Sequence, residues 1–122
     1  MSGRLDKVNQ QLRREISAII QQDLADPRLQ FVSITRVDVS PDLRNSKVYF
    51  SVLGDAKQIE DAITSLKRTE GIVRRHLGQR VKMRYIPEVH FVYDKSIAMS
   101  AQIEETIKEL KGEHTEEDLG NH

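Results

Sequence analysis

Leu5, Val8, Leu12, Ile16, Ile19, Ile20 and Leu24 recur at spacings of three and four. A stripe of that period collects its members on one side of a helix, so residues 4 to about 24 are expected to form an amphipathic helix. Its polar side carries Arg4, Lys7, Arg13 and Arg14. Asp26-Pro27 ends it, because proline disfavours helical geometry in the residue before it.

The period then drops to two. Phe31 to Val39 is rich in β-branched residues, and Lys47 to Leu53 alternates Val48, Phe50 and Val52 with Lys47, Tyr49 and Ser51. Ser40-Pro41-Asp42-Leu43-Arg44-Asn45-Ser46 between them is full of turn formers, so the pair reads as an antiparallel hairpin. In the first strand the apolar parity shifts from Val32 and Ile34 to Val37 and Val39. That predicts a bulge or burial on both faces.

Asp55 is the expected N-cap of a second helix, with Gln58 completing a capping box and Ile59, Ala62, Ile63 and Leu66 on its buried side. The pattern stumbles at Thr69-Glu70-Gly71 and restarts with Ile72, Val73 and Leu77. Glycine costs about 1 kcal/mol inside a helix relative to alanine, so two helices joined by a kink near Gly71 are expected, the second capped by Gly78. Val81, Met83, Tyr85, Pro87, Val89, Phe91 and Tyr93 hold every odd position of the next run. They predict a third strand with one buried face, broken or at an edge at Pro87. A last helix is expected from Ser96 to Lys111, striped by Met99, Ile103, Ile107 and Leu110.

The order is thus α-β-β-α-kink-α-β-α: an α+β domain with a three-stranded mixed sheet, one parallel pair, and helices on one face. Residues 1–111 are read as one domain and 112–122 as an acidic, disordered tail. The chain's 122 residues suit a single core.

Composition narrows function mostly by exclusion. Without cysteine there is no disulfide and no thiolate metal site, and a reducing compartment is expected. No apolar run is long enough to span a bilayer and the first residues lack a signal core, so the protein is expected in the cytoplasm, without membrane contact. His76, His90, His114 and His122 are scattered without ligand spacing, so no metal is expected. Asp26, Asp42 and Asp94 sit in turn-like contexts where aspartate caps backbone amides. No nucleophile elbow or phosphate-binding glycine loop is present. An enzyme, a cofactor or a small-molecule substrate is not expected, and nothing demands more than a monomer.

Net charge is zero, but its distribution is uneven. Residues 67–84 hold Lys67, Arg68, Arg74, Arg75, Arg80, Lys82 and Arg84 against Glu70 alone, a net of +6. Residues 104–122 carry seven acids against two lysines, a net of −5. Attraction to phosphate follows the local field, so the basic stretch matters more than the total. At the kink, Gly71 would permit close approach, and the following helix would direct its first N–H groups, with Arg74 and Arg75, at a phosphate. Arg4, Lys7, Arg13 and Arg14 would assist if the first helix shares that side. The residues assigned to RNA are therefore these four with Lys67, Arg68, Gly71, Arg74, Arg75, Arg80, Lys82 and Arg84. Glu70 counts against the site unless Arg74, one turn on, neutralises it. Phe50, Phe91 and Tyr93 are read as core, not as base-stacking platforms.

Several segments resemble the bacterial ribosome-binding factor A family. They are Asp26-Pro27-Arg28, Val39-Ser40-Pro41-Asp42-Leu43, Ser46-Lys47-Val48-Tyr49, Gly71-Ile72-Val73-Arg74, and Pro87-Glu88-Val89-His90-Phe91-Val92-Tyr93-Asp94-Lys95-Ser96. They span about residues 5 to 110 in the family's order and spacing. The resemblance implies a type II KH-like fold in which a helix–kink–helix with an Ala-x-Gly motif replaces the usual Gly-x-x-Gly loop. It implies binding to the small ribosomal subunit near its neck and the 3′ end of its ribosomal RNA, late in maturation, with dissociation before translation. It also implies a role in growth in the cold. This chain has Thr69 and Ser46 where alanine is common in the family. The alternative is a protein-interaction module whose charges serve only solubility.

Overall fold

In the computed structural model, which describes residues 3–94, the first apolar stripe becomes helix α1 (Gly3–Ala18), continued by a π-helical turn, Ile19–Leu24. Leu12, Ile16, Ile19 and Ile20 are buried, as the spacing predicts. Ala25, not proline itself, breaks the helix, in the left-handed region at φ 45°. Asp26 then caps the short 3-10 turn Pro27–Leu29 by accepting the Arg28 N–H at 2.9 Å.

Strands β1 (Val32–Val39) and β2 (Asn45–Val52) pair antiparallel. The parity shift in β1 is a bulge: Ile34 faces Phe50, Arg36 faces Tyr49, and Thr35 is the extra residue. The extra residue lets Val32 and Ile34, then Val37 and Val39, all point into the core. Strand β3 (Glu88–Tyr93) pairs parallel with β2, giving the order β1-β2-β3. The sheet is mixed with one parallel pair, as expected.

Helix α2 (Ala56–Arg68) opens on the predicted capping box, with the Gln58 N–H donating to Asp55 Oδ1 and the Asp55 N–H to Gln58 Oε1, each at 2.8 Å. Helix α3 (Glu70–Arg80) follows after a single residue, Thr69. Ala62 and Leu66 of α2, Val73 and Leu77 of α3, and Leu12 and Ile16 of α1 share one core with Val48, Phe50, Val89 and Phe91. Phe50 and Phe91 meet edge to face, 6.1 Å between centroids, at the centre of the sheet. Arg36, Asp38 and Lys47 are exposed on the other side of the sheet, so the helices cover one face.

Two expectations need correction. Gly78 does not cap α3, which runs on to Arg80. Residues 81–87 are not strand, although Val81 and Pro87 are buried as the alternation requires. The parallel ladder starts only where Glu88 donates to the Arg44 carbonyl, just after the proline that cannot donate. The expected last helix and acidic tail lie outside the described residues.

Candidate nucleic-acid interface

The helical joint is centred on Thr69, two residues before the glycine. Thr69 leaves helical geometry at φ −100° and ψ 4°, and its N–H is shared between the Ser65 and Leu66 carbonyls. Its hydroxyl donates to the Leu66 carbonyl at 3.0 Å, tightening the end of α2. No side chain caps the start of α3, whose first turn contains Gly71. Gly71 is helical and has nothing within 4 Å of where a Cβ would stand. Fold geometry therefore does not require glycine there; what it leaves is open space on the outward side. Gly71 and Arg75 lie one helical turn apart, opposite the side that buries Val73 and Leu77.

Glu70 does not pair with Arg74. Its carboxylate accepts the Phe91 N–H at 2.9 Å and lies 3.8 Å from Lys67 Nζ. It thus caps an outward N–H on the free edge of β3 and ties the joint to the sheet.

The twelve residues assigned to RNA from the sequence divide by what they touch. Arg74 turns inward and donates Nε and Nη2 to the Ile86 carbonyl at 3.0 and 2.8 Å. Arg80 bridges Asp23 at 3.0 Å and Glu15 at 3.2 Å, fastening the end of α3 to α1 and its π turn. These contacts hold the Asp23 carboxyl below its ordinary range, through the Arg80 hydrogen bond above all. His76 stands 3.1 Å from the same carboxylate. Arg68, Arg75, Lys82 and Arg84 are exposed and, among the described residues, make no ion pair. Arg4, Lys7 and Arg14 are exposed on α1. Arg13 is half-buried there. The ion pair that joins α1 to α3 is made by Glu15 and Arg80, at the C-terminal end of α3.

From the sequence, neither Arg44 nor Tyr85 is assigned to the interface. The Arg44 guanidinium lies 5.1 Å and that of Arg74 5.7 Å from the centre of the Tyr85 ring. A groove of about 390 Å³ beside the π turn, lined by Ser17, Gln21, Gln30 and Ser33 among others, holds no titratable side chain. No helix among the described residues is long and apolar enough to cross a membrane.

The family model for ribosome-binding factor A matches residues 4–107. The chain belongs to that family. A Desulfitobacterium hafniense ribosome-binding factor A is 42% identical over 119 residues, which cover 98% of this chain and 95% of that one. The crystal structure of ribosome-binding factor A from Thermus thermophilus matches with a TM-score of 0.65 at 30% identity, covering 73% of this chain and 94% of that one. A homology model of the Thermus factor, fitted into a cryo-EM map of its complex with the 30S subunit, matches with a TM-score of 0.59 at 32% identity. It covers 69% of this chain and 88% of that one. The α+β, KH-like architecture implied by the resemblance is thus the fold of the family. Both departures from the family pattern have partners here: Thr69 as described, and Ser46, buried, whose hydroxyl donates to the Glu88 carbonyl at 2.8 Å.

Proposed function

We propose that this protein binds the small ribosomal subunit through its ribosomal RNA, assists late maturation of that RNA, and leaves before translation begins. It acts as a monomer, by binding and not by catalysis. The observation that carries the reading is the set Arg68, Arg75, Lys82 and Arg84, exposed and, among the described residues, without ion pairs: Arg68 and Arg75 flank the uncapped start of α3, and Lys82 and Arg84 follow its other end. Residues 71–87 contain no aspartate or glutamate. Phosphates approaching there meet cations not already neutralised. Its relation to the Thermus factor seen with the 30S subunit names the partner.

Arg74 and Arg80 are already engaged within the fold, by the Ile86 carbonyl and by Asp23 and Glu15. A charge reversal at Arg74 would remove an anchor of Ile86 as well as a charge, so Arg75 is the cleaner site to vary. The test is capture of the tagged protein from lysate, with and without RNase. Small-subunit particles are expected to come along and to be lost on RNase treatment. Partners that stay attached after RNase would favour the protein-interaction reading.

A further inference from the structure

We propose that Tyr85 is a stacking platform for one unpaired nucleobase, with Arg44 and the cations Arg75, Lys82 and Arg84 taking the phosphates beside it. This rests on the RNA-binding reading above and adds the kind of RNA the surface takes. Tyr85 is the one exposed member of its run: Val81, Pro87, Val89 and Phe91 of the same parity are buried and Met83 and Tyr93 half-buried, but Tyr85 is 40% exposed. It lies before the ladder, which starts at Glu88.

Two guanidiniums attend the ring, and they differ. Arg74 is fixed by its two hydrogen bonds to the Ile86 carbonyl. Arg44 is exposed, makes no ion pair among the described residues, and sits loosely at 5.1 Å from the ring centre. The other arginine–tyrosine pair contrasts with it: Arg36 lies 4.0 Å from the Tyr49 ring centre and is neutralised by Asp38 at 3.2 Å. An exposed ring beside a guanidinium that makes no ion pair is the arrangement that holds single-stranded nucleic acid, the base on the ring and the cations on the backbone. A base stacking on Tyr85 would move Arg44 aside, toward that base's phosphate. A duplex, whose bases are already stacked, offers the ring nothing.

The test uses the full chain and two RNA-like probes of equal length: a uridine oligomer of about ten residues, matched to the site size of a small single-strand binder, and the same ribose-phosphate chain without bases. Wild type is expected to bind the uridine oligomer more tightly. Tyr85→Leu should lose roughly ten-fold on the uridine oligomer and nothing on the baseless chain. Tyr85→Phe, which keeps the ring, should behave as wild type. If Tyr85 merely braced Arg74 and Arg44, Tyr85→Leu would weaken both probes equally, and that result overturns the platform. So does a wild type that binds the two probes equally, or neither. Arg75→Glu keeps the two readings apart. It should weaken both probes, and if it changes neither while wild type still tells them apart, the platform stands and the charged surface falls.

Discussion

At the scale of single residues, strain and charge make separate predictions. Ala25 sits at φ 45° and ψ 42°, where an L side chain crowds its own carbonyl at a cost of about 1–2 kcal/mol. Glycine relieves this but gives back part of it as chain entropy, so Ala25→Gly should raise unfolding free energy by about 0.5–1 kcal/mol. Urea unfolding at constant m-value checks it. Asp23 makes a pH-dependent prediction. Because Arg80 holds its folded pKa below the ordinary 3.8, its contribution is fully present above that value and is lost as pH falls through the lower, folded one. Asp23→Asn should therefore melt below wild type at neutral pH, and the gap should shrink below pH ~4. Melting curves from neutral pH downward would show it; a gap that stays constant contradicts the assignment.

Among elements, the joint between α2 and α3 is the informative one. Gly71 is helical and faces open space, so Gly71→Ala should stabilise the fold by about 0.5–1 kcal/mol through helix propensity. If RNA backbone docks against that side of α3, the same methyl should weaken small-subunit binding. Stability up and affinity down in one variant would mark a glycine kept for contact with a partner. Features encoded within a few residues are legible in the order of the amino acids alone: the Asp55–Gln58 box, the parity shift that becomes the Thr35 bulge, and the stumble that becomes the joint. Features set by distant partners are not. Arg74 looks like a phosphate ligand until the Ile86 carbonyl is found against it, and Glu70 looks misplaced until the free edge of β3 is known. Tyr85 shares the parity of the core, and nothing in that alternation marks it as the exposed member.

For the whole molecule, zero net charge conceals a division of labour. Acids pair with some cations inside the fold: Asp23 and Glu15 hold Arg80, and Glu70 lies near Lys67. Others are left over, and the binding reading depends on those. The most direct measurement is small-subunit affinity across a salt series, for wild type and for Arg75→Glu. Phosphate binding releases counterions, so wild-type affinity should fall steeply with salt, and Arg75→Glu should bind more weakly with a slope shallower by about 0.7–0.9 in log–log terms. Affinity indifferent to salt, or unchanged by reversing Arg75, would contradict it.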